Sequence, residues 1–216
     1  MADRPPDVPL DNAPLPRSPL LLHRDRSAVL VVDVQQKLLP VIRGHERLVW
    51  NIRRLLDAAR LWQVPCWATE QYPQRLGPTV DLLADRLQVV GDKLAFSCGG
   101  CQPLLQQLRP RQLDQILVVG IETHVCVQQT ALDLLTEGYQ VHVAADAVGT
   151  RFSIDHDWAL RRMESSGVTI TTVEAAMFEW CTEAGTDAFK QTSQLVRELA
   201  PSESTDTRDE LGSPER

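Results

Sequence analysis

The chain has 216 residues, enough for one large domain with a full core and short tails. Its 43% hydrophobic and 24% charged residues are ordinary for a globular protein, and a net charge of −7 offers no electrostatic grip on nucleic acid or an anionic membrane. No apolar run could span a bilayer, the N-terminus lacks a basic-then-apolar signal pattern, and five cysteines in no framework spacing point to the reducing cytoplasm.

In chain order, Met1–Pro19 holds six of the fourteen prolines in a polar setting and predicts an extended, disordered arm, with Leu20–Leu22 as the apolar stretch that docks it. Ala28–Val32 is a buried strand ending at Asp33. His45–Trp62 carries an apolar stripe at helical spacing (Leu48, Ile52, Leu55, Leu56, Ala59, Leu61). Pro65–Thr69 reads as a second strand, Gln88–Val90 as a weak third, and Pro103–Leu108 as a short helix. Ile116–Val119 is a fully apolar strand. After Gly120 the period changes to helical through Val125, Val127, Thr130, Ala131, Leu134 and Leu135, with Gly138 at the stop. Gln140–Ala144 is a strand, Asp155–Ser165 a helix and Val168–Thr172 the last strand. Phe178–Glu198 is helical with a break near Gly185. Pro201–Arg216 is polar and charged and predicts a disordered tail, which leaves 20–200 as the folded domain. The alternation predicts an α/β fold with a parallel sheet covered by helices on both faces, whose chemistry sits outside the carboxyl ends of the strands.

Three residues stand at such ends. Asp33 follows the first strand directly and is read either as a general base or as a loop and helix cap. Lys93, in GDKLAFS, read as a loop flanked by Gly91 and by apolar Leu94, Ala95 and Phe96, is either solvated, as most lysines are, or an electrostatic partner. Cys126 lies on or beside the first turn of a helix that follows a strand directly. There the helix dipole and unpaired N–H groups would make a thiol more acidic, against the alternative of a small buried residue between Val125 and Val127. Together the three make a working set for nucleophilic attack on a carbonyl.

The same residues carry a resemblance. VLVVDVQQKL, WATEQYPQRLGPTV, GDKLAFS and GIETHVCVQQTALDLL, followed by YQVHVAADAVGTR and Arg162-Met163 with Gly167, resemble in order and context the isochorismatase-like cysteine hydrolase superfamily, in its isochorismatase-domain-containing branch. The similarity covers about Ser27 to Met177. It implies a three-layer α/β/α sandwich on a mainly parallel, roughly six-stranded Rossmann-like sheet. It implies Asp33 as general base, Lys93 as electrostatic partner and Cys126 as nucleophile. It further implies a cis peptide at Ile121–Glu122, an oxyanion hole from the N–H groups of Glu122 and Cys126, and a homo-oligomer. No cofactor is implied.

Departures from the family narrow the activity. Nicotinamidases of the superfamily hold a metal through an Asp-x-His cluster and a further histidine, whereas EQYPQRLGPTVDLL contains no histidine, and the chain's five histidines show no zinc spacing. Glu122 stands where nicotinamidases usually have a small residue. Some true isochorismatases lack the cysteine; its retention favours a metal-independent hydrolase acting on an amide-like or related carbonyl of a small molecule. Glu70, Gln71, Tyr72 and Phe96 are candidate pocket walls or ordinary loop packing. Two other classes compete: a thiol–disulfide oxidoreductase using Cys98 and Cys101 in a C-x-x-C before a helix, and a catalytically silent binding protein. Trp158, Phe178 and Trp180 belong either to an oligomer interface or to the core.

Overall fold

The computed structural model describes residues 16–109 and 113–201; most of the expected arm, 1–19, and tail, 201–216, lies outside them. Among the described residues six strands form one sheet: β1 (Ser27–Val32), β2 (Cys66–Gln71), β3 (Gln88–Lys93), β4 (Gln115–Ile121), β5 (Gln140–Gly149) and β6 (Thr169–Thr171). The order across the sheet is β3-β2-β1-β4-β5-β6, and every pairing between neighbours is parallel. The helices are α1 (His45–Leu61), two single turns, α2 (Pro73–Leu76) and α3 (Asp81–Ala84), then α4 (Gln102–Leu108), α5 (Gln128–Thr136), α6 (Ser153–Ser165), α7 (Val173–Cys181) and α8 (Asp187–Val196).

Strand periodicity explains the layers. Successive strand side chains point to opposite faces, so Val29 and Val31 of β1 enter one core and Ala28, Leu30 and Val32 the other. β4 divides likewise, with Leu117, Val119 and Ile121 on the first side and Ile116 and Val118 on the second. The first core is closed by α1, through Leu48, Ile52, Leu55 and Leu56, and by α7, through Val173, Met177 and Trp180. The second is closed by α4, α5 and α6 through Leu104, Leu108, Ala131, Leu134 and Met163. Both central strands are covered on both faces, which is why they read as continuous apolar runs rather than alternating ones. This is the expected three-layer α/β/α sandwich.

Several boundaries differ from the sequence reading. β3 continues past Val90 to Lys93 because Gly91, Asp92 and Lys93 pair with Thr69, Glu70 and Gln71, so Lys93 ends a strand rather than sitting in a loop. β5 continues to Gly149, held by pairing with Gly120 and Ile121. α7 begins at Val173, five residues before the expected Phe178, because the Thr172 hydroxyl caps it by accepting from Ala175 N–H at 3.3 Å. Leu22 docks as expected: it is fully buried, and its N–H donates to Glu179 Oε2 at 2.6 Å. Trp180 is core, whereas Trp158 is 60% exposed.

From β1 the chain builds outward through β2 to β3, then returns to the other side of β1 for β4. The carboxyl ends of β1 and β4 therefore flank a topological switch point, where α/β sheets leave a crevice. Close approach there depends on Gly120, which pairs with Val32 at φ 118°; a Cβ on it would lie 2.2 Å from the Val32 carbonyl oxygen.

Candidate active site

Parallel register brings the strand ends level. Val32 pairs with both Thr69 and Gly120, and Gln71 pairs with Lys93. The residue after Val32, Asp33, turns with φ 54°, a left-handed conformation that aspartate tolerates better than most side chains. Its carboxylate is fully buried. Oδ2 accepts from Lys93 Nζ at 2.6 Å and Oδ1 from the Thr69 hydroxyl at 3.0 Å, and the Cys126 thiol lies near enough that it and the carboxylate shift each other's proton affinity. Asp33, Lys93 and Cys126, read from three separate strand ends, thus meet around one carboxylate.

Lys93 is held from every side. Besides Asp33, its ammonium donates to Gln71 Oε1 at 2.7 Å, to the Phe96 carbonyl at 2.8 Å and to the Ala95 carbonyl at 3.3 Å. An ammonium has three protons, so these acceptors saturate it and it offers no free donor to a substrate. An ammonium so enclosed can hold a negative charge in place. Gln71, expected as a pocket wall, is instead a strut: its amide bridges Lys93 and the Leu94 carbonyl, to which Nε2 donates at 2.8 Å. Gln35, buried two residues after Asp33, locks the strut by accepting from Gln71 N–H at 2.7 Å and donating to the Gln71 and Gly77 carbonyls.

Cys126 does not sit on a regular first helical turn. Thr123–Val127 form a single π-helical turn before α5, in which the N–H groups of Val125 and Val127 both return to the Glu122 carbonyl. Such wide turns shift a side chain relative to an α-helix. The Ile121–Glu122 peptide bond is cis. Among the described residues, the Glu122 N–H takes no backbone acceptor. The Glu122 carboxylate turns aside to Arg151, which donates from Nε at 3.1 Å, and Thr123 Oγ1 lies 3.1 Å from His156 Nδ1, tying this turn to α6.

The electrostatics correct one expectation. The helix-turn position predicts an acidic Cys126, but burial first, and the Asp33 charge second, push this thiol well above a free cysteine, with Lys93 offsetting only part. Burial also raises Asp33 above an ordinary carboxyl, the Lys93 charge and its hydrogen bonds pulling the other way without cancelling it. Burial alone would lower the Lys93 ammonium, but attraction to Asp33 and its neighbours leaves it above its ordinary value. The resting site therefore holds a neutral thiol beside a buried ion pair.

Other expected site residues are more peripheral. Glu70 accepts from both the N–H and the hydroxyl of Thr79, at 2.7 and 2.8 Å, and braces that loop. Tyr72 and Phe96 are 42% and 53% exposed at the rim. Cys98 is not the acidified first thiol of a redox motif: it lies ahead of α4, fully buried, and burial pushes it up to about 11. No group of three or more metal-ligating side chains occurs among the described residues, and none of their helices is long and apolar enough to cross a membrane. A groove of about 420 Å³, lined by Arg60, Cys66, Asp85 and Arg86, opens at the start of β2 and shares no residue with the Asp33 network.

Thr69, Gln35 and Thr130 were not singled out from the sequence. Strand alternation puts Thr69 on the same face as Gln71, and Thr130 stands four residues after Cys126, so period alone carried a signal for both.

The isochorismatase domain model matches residues 27–175, a span that includes every one of these side chains. The chain belongs to the isochorismatase domain family. Isochorismatase domain-containing protein 2 of Macaca fascicularis is 40% identical over 179 residues, covering 81% of this chain and 85% of that protein. Among solved structures, the MAR1 ribonuclease of Caenorhabditis elegans superposes with a TM-score of 0.78 at 36% identity, covering 86% of this chain and 96% of that one. A cysteine hydrolase from Pseudomonas syringae pv. phaseolicola superposes at 0.67 with 25% identity, covering 78% and 97%. The family foreseen from the four motifs is the one that matches, and the fold is that of isochorismatase-like hydrolases.

Proposed function

We propose that this protein is a metal-independent cysteine hydrolase that cleaves an amide-like or related carbonyl of a small molecule through a thioester on Cys126. The observation that carries this reading is the single buried carboxylate, Asp33, bonded to Lys93 Nζ at 2.6 Å with the buried Cys126 thiol near enough that the two shift each other's proton affinity. Because the thiol rests protonated, its proton leaves as the carbon–sulfur bond forms, and Asp33 takes it. A carboxylate whose pKa is raised by burial is the better base for that transfer. Lys93 keeps Asp33 ionised beforehand. The N–H groups of Glu122 and Cys126 are the donors for the oxyanion of the tetrahedral intermediate. Asp33 then returns the proton to the departing amine, leaving the acyl group on sulfur. Water deprotonated by Asp33 hydrolyses the thioester, giving the carboxylic acid and the free thiol. Overall, an amide and water become an acid and an amine.

No cofactor enters this scheme, and the reading places the protein in the cytoplasm, acting on a small molecule as a homo-oligomer. The net charge of −7 supports a small substrate over a polyanion; since the C. elegans relative is described as a ribonuclease, RNA is the control substrate. The test is a panel of primary amides assayed with intact-mass detection of an acyl adduct, together with the pH profile of Cys126 alkylation in wild type, Asp33→Asn and Lys93→Met. An adduct on Cys126 and an alkylation profile altered in both variants support the scheme. Labelling like that of a free thiol, unchanged by either substitution, overturns it, as does RNA cleavage that survives Cys126→Ala.

A further inference from the structure

The proposed hydrolysis uses one thiol, yet a second is built against the same carboxylate. Cys98 Sγ lies 3.3 Å from Thr69 Oγ1, and that hydroxyl donates to Asp33 Oδ1 at 3.0 Å. With the Thr69 proton committed to Asp33, the Thr69 oxygen is free to accept the Cys98 S–H. Asp33 is thus reached directly by Cys126 and, through one hydroxyl, by Cys98. Three contacts then press the Cys98 loop onto the helix that follows Cys126. Cys98 N–H donates to Thr130 Oγ1 at 2.9 Å, Ser97 Oγ bonds to Asp133 Oδ2, and Gly99 packs so closely that a Cβ would lie 2.9 Å from Asp133 Cβ. Thr130 is four residues beyond Cys126, hence on its side of the helix. Both thiols are buried in one apolar cluster, and Cys98 lies close enough for its charge to act on Cys126.

We propose that Cys98 is the resolving thiol for Cys126, so that oxidation by a hydroperoxide closes a Cys98–Cys126 disulfide that reversibly silences the site. This rests on the reading of Cys126 as the nucleophile. In the first step Cys126 sulfur attacks the peroxide oxygen, its proton passes by way of Asp33 to the departing alcohol, and a sulfenic acid forms. In the second, Cys98 sulfur attacks the Cys126 sulfur as hydroxide leaves. The Cys98 proton moves to Thr69 while Thr69 passes its own to Asp33, and the expelled hydroxide is protonated to water. The peroxide is reduced and the two thiols are oxidised; an added dithiol reverses the change. Cys98 is fully buried and reaches Asp33 only through the Thr69 hydroxyl, whereas Cys126 keeps a slight exposure, which favours Cys126 as the thiol that meets the peroxide.

The full-length protein would be treated with hydrogen peroxide, blocked with an alkylating agent, digested and mapped by mass spectrometry without reduction. The expected product is a bridge to Cys126 that persists in Cys101→Ser and is missing in both Cys98→Ser and Cys98→Ala. In those two variants Cys126 should proceed to sulfinic acid, and a dithiol should restore thiol in wild type only. A Cys126 sulfinic acid in wild type with Cys98 still alkylatable overturns the proposal, as does a Cys98–Cys101 bridge. The readout is peptide mass rather than turnover, so a bridge that forms without any amidase activity refutes the hydrolase scheme and leaves the thiol pairing standing.

Discussion

The two ends of the sheet both bury polar groups, and they use them in opposite ways. At the amino ends of the strands, Gln115 is fully buried and fully occupied. Its Nε2 donates to Pro19, Leu21 and Gln140, and its Oε1 accepts from His23 N–H at 2.7 Å. Ser27 joins the same web, donating to the His23 carbonyl and accepting from Trp180 Nε1. These groups are neutral and mutually satisfied, and they fasten the incoming chain and α7 to β1 and β4. At the carboxyl ends the buried groups include an ion pair, one backbone residue is left-handed, and the Glu122 N–H and a thiol are left without backbone partners. Burial of polar atoms therefore does not by itself mark a site. What separates the ends is a charge confined beside groups still able to react.

Substitutions should pull the two ends apart. The largest effect is expected on turnover at the carboxyl end: Cys126→Ala should abolish it and Asp33→Asn lower kcat about 10²–10⁴-fold, both measured on an amide that acylates wild type. Next comes Lys93→Met, which leaves Asp33 buried without its counter-ion. Stability by urea titration should fall by about 3–5 kcal/mol, and the double variant with Asp33→Asn should recover most of that while staying inactive. A single variant as stable as wild type would mean that the pair is not the buried ion pair described.

A pH measurement sharpens the contrast away from the site. Burial lowers His142, on β5, to about 4 from 6.5. Below about pH 6.5 the unfolded chain binds a proton that the folded ring refuses until about pH 4. Stability held above that window is thus lost as pH falls through it, by about 3 kcal/mol in all. His142→Gln should flatten this part of the stability curve, and an unchanged slope between pH 7 and 4 would assign the acid sensitivity elsewhere. The smallest effect is expected from Gln115→Ala: about 1–3 kcal/mol of stability lost, with kcat per folded molecule unchanged. A drop in kcat would show that the amino-end web reaches the chemistry after all.

The apolar runs of β1 and β4 and the helical stripe of α1 could be read in advance because each signal is local, an unbroken apolar run or a period of 3.6 residues, and helix-bearing segments between strands imply parallel crossovers. The motifs around Asp33, Lys93 and Cys126 were likewise legible as residues at strand exits. The apolar stretch Leu20–Leu22 docks only through Leu22, Leu20 and Leu21 staying exposed, and the break near Gly185 falls where α7 ends at Cys181 and α8 begins at Asp187. Less visible were the strut from Gln35 through Gln71 to Lys93 and the relay from Cys98 through Thr69 to Asp33, because each joins residues from different segments that share no period.

The sequence by itself determined the layered fold, the family and which three side chains stand as candidates at the strand exits, since these depend on pattern and residue type along a short stretch. Only the tertiary structure decided their state. A thiol at a helix-start position reads as acidic when the turn is considered alone, and as neutral once Asp33 and the surrounding core are brought against it. Lys93 reads as a free cation until four acceptors from two strands and a loop close around it. Charge and proton affinity respond to everything within a few ångströms in any direction, and a linear chain specifies those neighbours only by folding.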